Sequence, residues 1–99
     1  MITEYIRGYR VNAVQFIHDI KGSTVSDVVR LCWDELDTVK LNKGDPLTLE
    51  IELICKKLVV SERSYVVKNL DTLEITVVQE EEFKKHYKTE ADFFNEEDA

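Results

Sequence analysis

The chain has 99 residues, 43% hydrophobic and 33% charged, with one Pro and three Gly. This composition fits one globular domain with one core and excludes a disordered or low-complexity chain. The formal net charge of −7 is repelled by phosphate backbones, so direct nucleic-acid binding is not expected.

The distribution of apolar residues along the chain predicts its cellular location and the extent of its domain. No run approaches the roughly 18 apolar residues of a membrane span. Residues 1–10 lack an apolar segment and carry Glu4, so we expect no signal peptide and a cytoplasmic protein. Cys32 and Cys55 lie in apolar runs and are predicted to be buried free thiols. We expect a single domain over residues 1–95 and a frayed acidic tail over residues 96–99.

Residues 9–17 predict the first strand, because they are rich in β-branched and aromatic side chains. Val14 and Phe16 would face one way, and Val11, Ala13 and Ile17 the other. Both faces of this strand are apolar, which indicates a central position in a sheet.

The next segment predicts a helix over residues 25–37. Thr24 followed by Asp27 resembles a capping box. Leu31 falls opposite the apolar stripe and Trp33 at its edge, so both are predicted to be exposed. The stripe itself consists of Val25, Val28, Val29, Cys32 and Leu36.

The remaining elements are predicted from alternation and turn residues. After a turn at residues 43–46, residues 47–53 alternate apolar and polar side chains, which indicates a strand with one buried face. Residues 57–60 predict either a further short strand or a continuation of that strand past a bulge. Residues 65–69 and 73–78 predict two strands joined by a turn.

From Gln79 the pattern becomes helical. Phe83, Tyr87, Ala91 and Phe94 lie on one side of this predicted helix.

Together these elements predict an α+β fold: a small, mainly antiparallel sheet of about four to five strands, one helix after the first strand and one C-terminal helix. The expected core comprises Val14, Phe16, Val25, Val28, Val29, Cys32, Leu36, Leu49, Ile51, Leu53, Val67, Ile75, Val77, Phe83 and Tyr87.

Catalytic and metal-binding patterns are not found in the sequence. His18 and His86 are far apart, and no Cys or His pair has metal-ligand spacing. A catalytic cysteine needs a nearby base and partial exposure, whereas Cys32 lies on the apolar helix stripe and Cys55 follows an apolar strand, so both are interpreted as structural. The three glycines are isolated, so no phosphate-binding loop is predicted. We therefore expect a protein that is not an enzyme and has no cofactor.

The acidity is concentrated at the C-terminus, where residues 80–99 hold 8 acidic and 3 basic side chains of the chain's 20 and 13. One interpretation is a solvated helix face with a frayed tail. The other is a surface that imitates nucleic-acid charge and occupies a basic groove on another protein. The carboxylates involved are Glu80, Glu81, Glu82, Asp92, Glu96, Glu97 and Asp98.

Several short segments resemble a family of small, mostly uncharacterised proteins of tailed phages and prophages. Residues 11–16 read Val-Asn-Ala-Val-Gln-Phe, where that family has Val-x-Ala-Val-Gln-Phe. Residues 64–69 and 74–78 read Ser-Tyr-Val-Val-Lys-Asn and Glu-Ile-Thr-Val-Val, similar to its Gly-Asp-Tyr/Trp-Ile-Ile/Val-Lys turn and strand and its following Gly-Glu-hydrophobic strand. Residues 81–87, Glu-Glu-Phe-Lys-Lys-His-Tyr, match its helix of the form Glu-x-Phe-x-x-x-Tyr.

The chain departs from that family at its turns. Arg63-Ser64 replaces Gly-Asp, Leu73 replaces Gly, and residues 88–99 extend beyond the usual end. Glycine favours tight turns, so these replacements bear on turn geometry. The resemblance implies a phage or prophage origin and assigns no catalytic residues.

Our main functional hypothesis is stoichiometric binding to a host protein, as an inhibitor of a defence or housekeeping enzyme. Leu31, Trp33 and Phe93 are the expected apolar anchors. The first alternative is the acidic nucleic-acid mimic, of anti-restriction or anti-CRISPR type. The second is binding of a small molecule or nucleotide signal, across an interface of a homo-oligomer. Its candidate residues are Arg7, Tyr9 and Arg10, or Arg63, Tyr65 and Lys68.

Overall fold

The computed structural model describes residues 2–6 and 10–87. Within these residues the fold is α+β with antiparallel sheets, as predicted. In chain order the elements are β1 (Thr3–Ile6), β2 (Arg10–Gln15), β3 (His18–Asp19), β4 (Gly22–Ser23), α1 (Val25–Cys32), a 3-10 turn (Trp33–Glu35), β5 (Leu36–Asn42), β6 (Thr48–Leu53), β7 (Lys57–Ser61), β8 (Tyr65–Asn69), β9 (Ile75–Val78) and α2 (Glu80–His86).

The first sheet has the order β1-β2-β8-β9, and every pairing in it is antiparallel. The central position predicted for the first strand is confirmed, because β2 pairs with β1 on one side and β8 on the other. Val14 lies opposite Val66, and Ala13 opposite Val67. Both faces of β2 are buried, as its apolar residues require.

The second sheet has the order β5-β6-β7. The alternation predicted for β6 is confirmed, since Leu49, Ile51 and Leu53 are buried while Glu52 is exposed. Lys57–Ser61 forms a separate strand, which settles the two alternatives left open for that segment.

The predicted extent of the first helix was wrong. Helix α1 ends at Cys32, the 3-10 turn follows, and Leu36 already belongs to β5, where it lies opposite Leu53. Leu36 has helical spacing in sequence, but Thr38 and Val39 just beyond it are β-branched and suit a strand. The capping box is also absent. Thr24 is the N-cap residue, but its hydroxyl accepts from the Ile17 amide (2.9 Å) and donates to the Gln15 carbonyl (2.6 Å).

The core forms two layers, one on each face of the first sheet. One cluster contains side chains from the second sheet and α1, packed against Val14, Phe16, Val66 and Ile75 of the first sheet and its flanking residues. On the opposite face, the cluster contains Val11, Ala13 and Val67 together with Phe83 of α2 and Tyr87, which follows that helix. The Phe83 ring stacks on Tyr65 at a centroid distance of 3.7 Å and on Tyr87 at 4.7 Å.

The predicted core was largely correct but incomplete. Val25, Val29, Leu36 and Val77 are only half-buried. The buried residues that the prediction omitted are Val11, Ala13, Leu31, Val60 and Val66.

Leu31 is the main correction, because it was expected to be exposed and is buried. Helix α1 contacts β2 and β8 of the first sheet and β5 of the second. A helix that packs against two sheets buries residues on more than one side. Its buried residues therefore do not follow from the helical spacing of a single apolar stripe. The expected continuation of α2 through Ala91 and Phe94, and the tail at residues 96–99, lie outside the described residues.

Candidate functional site

Three large apolar side chains are exposed on three segments that polar contacts join to one another. Trp33 is 69% exposed, Ile54 is 79% exposed and Leu73 is 54% exposed. Trp33 lies in the 3-10 turn, Ile54 in the β6–β7 turn and Leu73 in the β8–β9 turn. We call these three residues the apolar end surface. Exposed large apolar residues on adjoining segments indicate a binding surface more often than isolated ones do.

Polar contacts join the three segments pairwise. The Ile54 amide donates to the Glu35 carbonyl at 2.9 Å, which connects the β6–β7 turn to the 3-10 turn. Lys56 Nζ lies 4.0 Å from Glu74 Oε1, connecting the β6–β7 turn to the β8–β9 turn. Lys68 Nζ, at the end of β8, lies 3.9 Å from Asp34 Oδ2 in the 3-10 turn. The segments carrying the apolar end surface are therefore held together by the fold.

Leu73 has a left-handed backbone, with φ of 62°. This conformation costs an L-residue roughly 1–2 kcal/mol, so it must be enforced by its surroundings. The Leu73 amide donates to the Asn69 carbonyl at 2.8 Å, and the Asn69 amide donates to the Glu74 carbonyl at 2.9 Å. The Asn69 side chain accepts from the Asp71 and Thr72 amides. The turn thus holds an exposed leucine where glycine would be favoured.

Arg63, with φ of 73°, is the other non-glycine residue with positive φ in the described chain. Both positions therefore adopt a left-handed backbone without glycine.

The two cysteines have different surroundings. Cys32 is buried as predicted, and burial raises the pKa of its thiol to about 11. Cys55 was also expected to be buried, but it is exposed. It follows Ile54 in the β6–β7 turn and so lies after the apolar alternation of β6 has ended. Cys55 adjoins the apolar end surface.

Of the three predicted anchors, Trp33 is exposed as expected, and Leu31 belongs to the core. Phe93 lies outside the described residues, as does Asp92. Sequence reasoning missed Ile54 and Leu73. A signal for Ile54 was present, because it follows Leu53 directly and therefore falls out of phase with the buried residues of β6. Leu73 was predicted as the first residue of the strand over residues 73–78, but β9 begins at Ile75, which leaves Leu73 in the β8–β9 turn.

The acidic first turn of α2 is partly engaged within the protein. Glu80 Oε2 lies 3.1 Å from Arg63 Nη2 and accepts a hydrogen bond from Gln15 Nε2 at 2.5 Å. The hydrogen bond from Arg63 is the main reason that the pKa of Glu80 is lowered. Glu82 lies 3.4 Å from His86 Nε2, and Glu81 is exposed. Glu80 therefore acts as an internal contact between α2 and the sheet.

The structure does not bring together Arg63, Tyr65 and Lys68, one of the two residue sets predicted for a nucleotide ligand. Tyr65 stacks on Phe83, and Arg63 pairs with Glu80, on the α2 side of the first sheet. Lys68 points to the other side and pairs with Asp34. Arg10 pairs with Glu4, while Arg7 and Tyr9 lie outside the described residues.

A shallow pocket of about 220 Å³ adjoins Tyr5, Gln15, Thr24 and Tyr65. The Gln15 side-chain amide donates to the Arg63 carbonyl at 2.9 Å as well as to Glu80. The Thr24 hydroxyl is bonded to the backbone of Gln15 and Ile17. The Gln15 and Thr24 side chains beside the pocket are thus already hydrogen-bonded within the protein. This pocket is therefore a weaker candidate for a binding site than the apolar end surface.

Within residues 2–6 and 10–87, no group of three or more His, Cys, Asp or Glu side chains is placed to hold a metal ion. None of the helices in this part of the chain has the length and apolar character needed to cross a membrane. No protein-family model, curated protein sequence or solved structure matches the chain.

Proposed function

We propose that the protein acts by stoichiometric binding to another protein through the apolar end surface, and not by catalysis. The observation that carries this proposal is the exposure of Trp33, Ile54 and Leu73 on segments that polar contacts hold together. Binding hot spots are enriched in Trp and gain from anchors that are ordered before binding.

The resemblance to tailed-phage and prophage proteins supports a host protein as the partner. Inhibition of a host defence or housekeeping enzyme, in the host cytoplasm, is the outcome that we propose. The left-handed backbone of Arg63 and Leu73 is consistent with this resemblance, because the family has Gly at both places.

The other candidate functions receive less support. An acidic nucleic-acid mimic needs outward carboxylates, but Glu80 is bonded to Arg63 and Gln15. A nucleotide site needs Arg63, Tyr65 and Lys68 together, but they lie on two sides of the sheet. Cysteine catalysis by Cys32 needs a thiolate, which a pKa of about 11 disfavours at neutral pH.

The experiment that tests the proposal is affinity capture from bacterial lysate with wild-type protein and two matched variants. Trp33→Ala removes an anchor of the apolar end surface. Ile20→Ala removes a fully exposed apolar side chain from the β3–β4 hairpin, outside that surface. We expect wild type and Ile20→Ala to capture the same protein and Trp33→Ala to lose it. Equal capture by all three proteins would overturn the proposal.

A further inference from the structure

The ion pairs bordering the apolar end surface are unequal in their exposure. In one pair the Lys68 side chain is 18% exposed and the Asp34 side chain 83% exposed. In the other, the Lys56 side chain is 34% exposed and the Glu74 side chain 66% exposed. In both pairs the lysine is the covered member, and the carboxylate extends toward solvent.

A partner approaching this surface therefore meets apolar side chains bordered by carboxylates. The charged rim of an interface sets which partners are accepted, because like charges placed opposite each other are costly. Each lysine already pairs with its carboxylate on one side, which leaves the outward side of Asp34 and Glu74 for a cation from a partner.

We propose that the partner presents an apolar element flanked by lysine or arginine side chains, such as one face of a basic amphipathic helix. This inference rests on the proposed function, since it specifies the chemistry of the partner for the same surface. Trp33, Ile54 and Leu73 supply the apolar contacts, and Asp34 and Glu74 receive the flanking cations.

The probes are two synthetic amphipathic helical peptides that share one leucine-rich face. One peptide has lysine on its polar face, and the other has glutamate at the same positions. We expect the lysine peptide to bind wild-type protein about tenfold more tightly, as two surface ion pairs of up to about 0.7 kcal/mol each would give. The preference should weaken with added salt.

Matched charge reversals separate the local rim from the overall charge of the protein. Asp34→Lys with Glu74→Lys should reverse the preference toward the glutamate peptide. Glu62→Lys with Glu81→Lys makes the same change in net charge at two exposed positions outside the surface, and it should keep the preference for the lysine peptide. Asp34→Asn with Glu74→Gln provides a milder test, in which the preference disappears without a new positive charge.

The remaining outcomes decide between the two proposals. If both peptides bind equally and Trp33→Ala loses both, the apolar end surface binds partners but the inferred basic chemistry is wrong. If neither peptide depends on Trp33, both the basic partner and the proposed site are contradicted. If sedimentation shows self-association that Trp33→Ala abolishes, a second copy covers the surface and the basic partner is again excluded.

Discussion

The amide N–H of Ile54 donates to the carbonyl oxygen of Glu35 at 2.9 Å. This bond joins the β6–β7 turn to the 3-10 turn that carries Trp33, although the two are about twenty residues apart in sequence. It uses backbone groups only, so the exposed side chains of both turns are left for other contacts. The apolar end surface is therefore a product of tertiary structure and not of any single segment.

Trp33 and Leu31 provide a first prediction, because they are two residues apart and differ in burial. Trp33→Ala should change the free energy of unfolding by no more than about 0.5 kcal/mol, as expected for an exposed side chain. Leu31→Ala should lower it by about 2–5 kcal/mol, since it leaves a cavity in the core. Urea unfolding followed by circular dichroism measures both. A strongly destabilised Trp33→Ala variant would mean that Trp33 packs in the core.

Leu73 provides a second prediction, on backbone strain. Leu73→Gly should raise the free energy of unfolding by up to about 1 kcal/mol, because glycine adopts φ of 62° without the steric cost but loses more chain entropy. Leu73→Ala keeps the strained backbone and should give no such gain. Both variants should bind the partner less well. If Leu73→Gly is less stable than Leu73→Ala in urea unfolding, the turn is not strained as inferred.

An element of the fold could be predicted from the sequence where the spacing of its own residues determines its structure. It could not be predicted where its structure depends on contacts with distant segments. The alternation of Leu49, Ile51 and Leu53 predicted β6, because a strand face is set by its own period. The helical spacing of Phe83 and Tyr87 likewise predicted that both side chains pack on the sheet, although α2 ends just before Tyr87. Strand β1 was missed. This strand is held by its pairing with β2, which no local pattern records.

The errors at the candidate site have the same origin. Leu31 is buried because two sheets surround α1, and Cys55 is exposed because β6 ends before it. Trp33 was identified from its place at the edge of a helical stripe. Its grouping with Ile54 and Leu73 depends on contacts between distant segments, so the sequence alone gave no means of predicting the surface as a whole.

The ion pair between Arg63 and Glu80 leads to a third prediction, on pH. The pKa of Glu80 is lower in the folded protein than its ordinary value of 4.5, chiefly because of the hydrogen bond from Arg63. Its contribution to stability is therefore present above pH 4.5 and is lost as pH falls through the folded-state pKa. Glu80→Gln should be less stable than wild type at pH 7, and the difference should shrink toward pH 3.

Denaturation midpoints across that pH range measure the effect. Glu81→Gln is the control, because Glu81 lies in the same turn of α2 and is exposed. The prediction fails if the difference between wild type and Glu80→Gln stays constant with pH. It also fails if Glu81→Gln shows the same trend.

The two thiols provide a fourth prediction. In the native protein Cys55 should react readily with a thiol reagent at neutral pH, because it is exposed. Cys32 should react only on unfolding, since it is buried and its pKa is raised to about 11. Mass spectrometry of the labelled single variants Cys32→Ser and Cys55→Ser distinguishes the two sites. Rapid labelling of native Cys55→Ser would show that Cys32 is accessible and would contradict the described core.

The most direct test of the apolar end surface uses Trp33, which is the single tryptophan of the chain. Its fluorescence reports on this surface without an added label. When the captured partner, in a form without tryptophan, is titrated into the protein, we predict a blue shift of the emission and reduced quenching by acrylamide. Both changes should reach their limits at a stoichiometric amount of partner. A complex that forms at that stoichiometry while Trp33 emission and quenching remain unchanged would contradict the account.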